Sequence, residues 1–306
     1  MSKKPPQQLH DTGKPASPHI PVLLDEVVEQ LAPQPGESYL DLTVGYGGHA
    51  RAIVAATGAV QSITLVDRDK EALQSVADLA AAGAEVVHAS YADFAEKAVS
   101  DSKRYDMVLV DLGVSSPQLD KAERGFSLQR SGPLDMRMNQ QGSEKNAAFL
   151  VNHAPERELV QLLRQYGEEP VASARRIAKA IVAARPLRTT QELADVVLST
   201  HRGAYQKTHP ATRTFQAFRI AVNDELGQLT RLLRVLPQLL QPGGRVAIIS
   251  FHSLEDRLVK RFFAEQAAAG YEAELDLPQK KAIRGKTDNV TNPRARSAVL
   301  RAAVKK

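Results

Sequence analysis

Short apolar runs alternate with amphipathic stretches through the first third of the chain. Pro21 to Leu31 carries Val22, Leu23, Val27, Val28 and Leu31 at helical spacing, and Pro33-Gln34-Pro35-Gly36 stops it. Ser38 to Val44 then reads as a buried strand, Ala50 to Ala56 as a helix, and Ser62 to Val66 as a second strand ending at Asp67. Glu71 to Ala81 is helical and closes at Gly83. Ala84 to Ala89 and Tyr105 to Val110 are the third and fourth strands, the fourth ending at Asp111. Strands that are apolar throughout, separated by helices, predict a parallel sheet covered on both faces.

From about Asp120 to Thr212 the strand pattern disappears. Glu156 to Tyr166, Ala172 to Ala184 and Gln191 to Ser199 are amphipathic at helical period, and Thr189 with Glu192 forms a capping-box pattern. The sheet pattern then resumes. Thr214 to Leu240 reads as a helix bent at Pro237, Pro242-Gly243-Gly244 as a turn, and Arg245 to Ser250 as a fifth strand. Leu254 to Ala268 is helical, Tyr271 to Leu275 a weak sixth strand, Lys280 to Pro293 a basic loop, and Ser297 to Val304 a last strand. The predicted organisation is a sheet domain made of residues 19–120 and 213–306, interrupted by an all-α insertion over 121–212. The polar, proline-rich residues 1–18 are expected to be a disordered tail.

Composition narrows the class. The 306 residues are 43% hydrophobic and 25% charged, enough for a full apolar core without metals or disulfides. The absence of cysteine excludes disulfides, thiolate zinc sites and a cysteine nucleophile. No apolar run approaches the ~18 residues of a membrane span, so a cytoplasmic protein is expected. The net charge of +5 hides an uneven distribution. Residues 279–306 carry +8 and residues 172–219 carry +7, which leaves the remainder acidic. Two basic segments on an acidic body fit docking of a polyanion such as nucleic acid, as against two solvated basic surfaces.

Four segments carry candidate chemistry. Asp41-Leu42-Thr43-Val44-Gly45-Tyr46-Gly47-Gly48-His49-Ala50 joins the first strand to a helix and contains G-x-G-x-x-A, so taken alone it serves a nicotinamide dinucleotide or S-adenosylmethionine equally. Asp67, 22 residues after Gly45, is placed to accept from both ribose hydroxyls of either cofactor; Asp69 reads as a helix N-cap. Tyr91 is either a flank for an adenine ring or a core aromatic. Asp111-Leu112-Gly113-Val114-Ser115-Ser116-Pro117-Gln118 leaves the fourth strand and partly matches the short segment with which amino-group methyltransferases hold an exocyclic amine, with Phe126 or Phe251 as stacking face. Ser250 to Asp256 leaves the fifth strand; Ser253 with Asp256 reads as a helix start, and His252 as a loop anchor or a catalytic base. No G-x-S-x-G elbow supports a hydrolase, and no histidine spacing supports a metal.

Longer strings go further. His19-Ile-Pro-Val-Leu-Leu-Asp-Glu26, Gly45 to His49, Asp111 to Gln118, Arg124-Gly-Phe-Ser127, Gly132 to Met138, His209 to Gln216, Ile249 to Asp256 and Asn292 to Ser297 closely resemble the bacterial ribosomal RNA small-subunit methyltransferase H family, also called MraW. The resemblance runs from about His19 to Ala302. It implies a Rossmann-like class I S-adenosylmethionine-dependent methyltransferase, a seven-stranded, mostly parallel sheet whose last strand is antiparallel. It further implies methylation of the exocyclic N4 of a cytidine in the decoding region of 16S rRNA, within the small ribosomal subunit. Carried over by position, the cofactor contacts are Gly47, Gly48, His49, Asp67, Tyr91, Asp111 and Gln118. The chain departs from the family pattern at Leu42, usually Gly, at Ala50, usually Ser, and at Tyr91, usually Phe. Asp111, Ser115, Ser116 and His252 are the candidates for orienting and deprotonating the amine, and Arg213, Arg294 and Arg296 for the phosphates. No metal, membrane or obligate protein partner is expected. The rival readings are an NAD-dependent oxidoreductase, a DNA amino-methyltransferase and a non-catalytic RNA-binding protein.

Overall fold

The computed structural model describes residues 21–142, 145–202, 209–279, 281–285 and 293–306. The expected tail over 1–18 lies outside the described residues. In chain order the helices are α1 (Leu24–Leu31), α2 (Gly48–Thr57), α3 (Lys70–Gln74), α4 (Ala77–Ala81), α5 (Tyr91–Ser100), α6 (Ser116–Asp120), α7 (Ala147–His153), α8 (Glu156–Gln165), α9 (Val171–Ala184), α10 (Thr190–Ser199), α11 (Thr212–Asn223), α12 (Glu225–Val235) and α13 (Ser253–Ala268). The strands are β1 (Tyr39–Asp41), β2 (Ile63–Asp67), β3 (Glu85–His88), β4 (Tyr105–Asp111), β5 (Leu240–Ser250), β6 (Leu275–Asp276), β7 (Ile283–Arg284) and β8 (Val299–Lys305).

They form one sheet in the order β3-β2-β1-β4-β5-β8-β6, with short β7 also on β8. The first five strands run parallel, and β8 runs antiparallel to β5. The two-residue period sorts each strand between two cores. Met107 and Leu109 of β4 and Ala247 and Ile249 of β5 face a layer with Val27, Leu31 and Ile53 of α1 and α2. Val108, Val110, Val246 and Ile248 face the other layer, with Phe94, Leu229, Leu232, Val259 and Phe263 of α5, α12 and α13. Both sheet faces are therefore buried, which is why these strands read as unbroken apolar runs.

A third core belongs to the helical unit. Phe126, Leu134 and Met136 of the segment after β4 pack with Leu159, Ile177, Ile181, Leu193 and Val197 of α8, α9 and α10. Phe215, Phe218 and Val222 of α11 join the same cluster. The helical unit thus extends past residue 212, where the sequence pattern placed its end, because the apolar face of α11 points into it. The long helix expected over Thr214 to Leu240 is two helices. It breaks at Asp224, which takes a left-handed φ of 49°, and not at Pro237, which sits in a 3-10 turn. The glycine turn before the fifth strand is absorbed into β5 as a bulge: Tyr105 pairs with Leu240 and Met107 with Arg245. The helix expected over Glu71 to Ala81 is split into α3 and α4, and α5 carried no expectation.

Candidate active site

The strand order reverses direction between β1 and β4, and a cavity of about 430 Å³ opens at the carboxyl ends of the strands there. This is the place where open α/β sheets bind ligands, and the volume lies in the range of a small-molecule site. Its walls come from the loop after β1, the ends of β2 and β4, and the first turns of α5, α12 and α13.

Asp67 ends β2 at the cavity wall. Its Oδ2 accepts from the Gly45 N–H at 2.9 Å and its Oδ1 from the Asp69 N–H at 2.8 Å. These bonds fix the carboxylate while leaving further lone pairs for a ligand. Burial pushes its pKa up from 3.8 to about 6, and the two backbone donors limit the rise. Gly45 has φ 52°, and a Cβ there would meet nothing closer than 3.9 Å, so its surface is open to close approach. Gly47 and Gly48 serve packing. A Cβ on Gly47 would fall 2.5 Å from Val76 Cγ1, and one on Gly48 would fall 2.3 Å from Pro21 Cγ. Gly48 and His49 line the cavity; Gly47, expected as a contact, is the N-cap of α2 and lies behind it.

His49 is buried, with Nε2 at 3.0 Å from the Val22 carbonyl, and burial lowers its pKa. Beneath it Asp41 accepts from the Tyr39 hydroxyl at 2.8 Å and the Thr43 N–H at 3.1 Å. Burial raises the Asp41 carboxyl to about 6. Asp41 braces the loop from below and is not a wall residue. The Thr43 hydroxyl in turn accepts the Asp111 N–H at 2.6 Å, which ties the end of β4 to the glycine loop.

Asp111, Ser115 and Gln118 all line the cavity. Gln118 is pinned at both ends of its amide. Its Nε2 donates to Asp69 Oδ2 at 2.7 Å and its Oε1 accepts from the Ser115 N–H at 2.9 Å. It therefore positions the loop. Ser115 Oγ is buried at the wall with no hydrogen-bond partner among the described residues. The Ser116 side chain lies outside the described residues. Asp69 caps α3 through the Glu71 N–H, as its position predicted. It is also the buried partner of Arg124 at 2.8 Å, and Arg124 donates to the Met138 carbonyl at 2.8 Å. Met138, anchored this way, is a wall residue.

Apart from Tyr91, the far wall was not legible as a site. The Tyr91 ring lines the cavity, and its hydroxyl donates to the Glu225 carbonyl at 3.1 Å. Burial and the nearby Glu225 and Glu255 carboxylates raise its pKa well above the usual value, so it stays a donor. Asn223, Glu225, Gln228 and Glu255 complete this wall. No motif marks Asn223, Glu225 or Gln228, whose local signal is the Asn-Asp-Glu at the helix break; Glu255 lies in the Ser250 to Asp256 segment but was not singled out there. Arg219 binds both oxygens of Glu225 at 2.8 Å. His252 Nε2 lies 3.1 Å from Glu255 Oε1, and His252 and Glu255 form a capping box at the start of α13. His252, not Ser253, is thus the helix cap. It stands one residue back from the cavity, behind the wall residue Glu255. Glu225, His252 and Glu255 converge within 4.8 Å, but Arg219 already binds both carboxylate oxygens of Glu225.

Of the two expected stacking aromatics, only Phe251 is near the cavity. Phe126 is buried in the helical core, and Phe251 stands beside Gly113 at the exit of β4. Arg213 and Arg296 are exposed on the surface, and the Arg294 side chain lies outside the described residues. Several cations of the basic segments are consumed internally: Arg301 by Asp256, Lys305 by Glu274 and Arg219 by Glu225.

Charge decides what the cavity suits. Asp67, Asp111, Glu225 and Glu255 line it against Arg51 and Arg68. Arg51 is paired with Asp78 and Glu225 with Arg219, so the remaining balance is acidic. Such walls favour a cationic ligand and oppose a diphosphate.

A model of the MraW methylase family matches residues 16–306. The chain is 46% identical to the ribosomal RNA small subunit methyltransferase H of Nitratidesulfovibrio vulgaris, over 94% of this chain and 86% of that one. It is 47% identical to the protein of the same name from Thioalkalivibrio sulfidiphilus, over 95% and 98%. Among solved structures, a putative rRNA-methylase from Clostridium thermocellum aligns over 92% of this chain and 95% of its own, with a TM-score of 0.41 and 11% identity. A family match over nearly the whole chain, joined to relatives at this identity, places the chain in the MraW methylase family.

Proposed function

We propose that this protein transfers a methyl group from S-adenosyl-L-methionine to the exocyclic N4 of a cytidine in the decoding region of 16S rRNA, in the cytoplasm and on the small ribosomal subunit. The acidic cavity at the switch point carries the reading. A sulfonium and an α-ammonium suit its carboxylates, whereas the diphosphate of a nicotinamide dinucleotide does not. The relatives named for ribosomal RNA supply the substrate class.

S-adenosylmethionine brings a methyl carbon already activated by its sulfonium. The residues here have to bind, orient and remove a proton. Asp67 accepts from the ribose hydroxyls, Tyr91 flanks the adenine, and Gly45, Gly48 and His49 border the methionine end, with Gly47 setting the turn. Ser115 Oγ offers a buried hydrogen-bonding group at the wall for the target amine, and the Ser116 backbone continues the same loop. Asp111, at the end of β4, takes the proton released as nitrogen becomes alkylated. The cytosine has to leave its stack to reach this depth. Arg213, Arg294 and Arg296 contact phosphates outside the cavity.

The test is methyl transfer from radiolabelled S-adenosylmethionine to unmodified small subunits, free 16S rRNA and DNA, with the product digested to nucleosides. Label is expected in N4-methylcytidine from the ribosomal substrate. Label in DNA alone would replace the RNA reading with the DNA one. Transfer to none of the three, with the cofactor demonstrably bound, would overturn the acceptor.

A further inference from the structure

Gln228 presents a group to the cavity that the assignments above leave unused. Its Oε1 is buried and has no donor among the described residues, although the side chain lines the cavity wall. A buried acceptor without a donor is costly, so such an atom marks a place where a ligand donor belongs.

Its surroundings say which donor. Gln228 sits one turn into α12, three residues after Glu225, so the two share a helix face. The junction of α11 and α12 is fastened over the ends of β2 and β3 from two sides. The Tyr91 hydroxyl donates to the Glu225 carbonyl, and Arg68, next to Asp67, donates to the Asn223 carbonyl at 2.9 Å. Gln228 therefore lies on the Tyr91 side of the cavity, where the adenine is assigned. Glu225 and Glu255 on the same wall are acceptors as well. A wall of acceptors calls for an amine. The adenine ring carries one, next to a ring nitrogen that accepts, and a carboxamide matches that pair of atoms.

We propose that Gln228 reads the adenine edge of the methyl donor, Oε1 accepting from the exocyclic amine and Nε2 donating to the adjacent ring nitrogen. This inference rests on S-adenosylmethionine being the cofactor of this cavity. It makes Gln228 a specificity-determining residue for the base.

The test is calorimetric binding of S-adenosylhomocysteine and of its 6-deaminated purine counterpart to the parent protein, Gln228→Met and Gln228→Glu. The parent should prefer the amine-bearing ligand by roughly 5- to 20-fold. Gln228→Met keeps length and helix propensity; it should weaken the adenine ligand by more than that factor, since both hydrogen bonds go, weaken the purine ligand less, since only the ring-nitrogen bond goes, and erase the preference. Gln228→Glu retains an acceptor and should recover most of the preference. A parent that binds both ligands equally, or a preference that survives in Gln228→Met, would overturn the role of Gln228 and leave the cofactor reading intact. A parent that binds neither ligand would overturn the cofactor reading and this inference together. Circular dichroism of each variant separates a binding loss from a folding loss.

Discussion

Lowering the pH from 7.5 to 5 should weaken cofactor binding through Asp67. Burial lifts its carboxyl from 3.8 to about 6, and Asp69 and Arg68 are the charged groups that act on it most directly. If the ionised form accepts the ribose hydroxyls, the apparent Kd rises in proportion to one plus the ratio of proton concentration to the acid constant. That is nearly unity at pH 7.5 and about tenfold at pH 5. Stability moves the other way. The native carboxyl binds its proton more tightly than the unfolded one, so its contribution is full at low pH and is lost as pH rises from about 4 through 6. The difference in unfolding free energy between the parent and Asp67→Asn should therefore fall by on the order of 2–3 kcal/mol across that window. The assay is titration calorimetry with S-adenosylhomocysteine at half-unit intervals, beside urea unfolding of both proteins. Asp67→Asn should bind on the order of 10- to 100-fold more weakly at pH 7.5 and show no further decline on acidification. A parent affinity that stays flat to pH 5 would refute the reasoning. So would an acid decline that persists in the variant, since it would belong to another group. Asp41 titrates in the same range, but both its oxygens are engaged beneath the loop.

Arg124→Met should destabilise the fold by about 3–5 kcal/mol in chemical denaturation, because it strands a buried Asp69 and the Met138 carbonyl; an effect below about 1 kcal/mol would show that the pair holds nothing. Gly125→Ala puts a Cβ 2.2 Å from the Pro133 carbonyl at φ 74° and should cost more than about 2 kcal/mol, read as a lower urea midpoint, with parent-like stability counting against the packing described. Reversing the charge of Arg213 and Arg296 together should lower ribosomal RNA affinity and reduce the slope of log affinity against log salt by about 1.5, measured by filter binding; an unchanged slope would remove both from the phosphate contacts.

Much of the sheet was legible because strands buried on both faces carry no competing signal. The run from Tyr105 to Asp111 reads as strand by composition alone, and Asp67 and Asp111 follow from their positions at strand ends. Apart from Tyr91, the far wall of the cavity was not legible. Asn223, Glu225 and Gln228 owe their place to a break between two helices that the periodicity of 214–240 runs straight through. A single residue in the left-handed region, Asp224, makes that break, and an aspartate in a polar helix face gives no warning of it. His252 carries two signals at once. Its place after a strand end resembles a catalytic position, yet the capping box with Glu255 was spelled in the same residues. The end of the helical unit was misplaced because α11 is apolar on a face that serves the helical core, and sequence does not reveal which core a helix chooses.

The chain enters the helical unit through the Asp111 to Gln118 loop and leaves it at Asn223, and both crossings contribute residues to the cavity wall. Asn223 also holds the Met136 carbonyl and the Met138 N–H, so the same wall grips the helical unit from within. A cofactor that filled this cavity would border both crossings at once. Its binding energy and the placement of the helical unit then belong to a single equilibrium. By reciprocity, any RNA contact that shifts this unit must change cofactor affinity by the same factor by which the cofactor changes affinity for RNA.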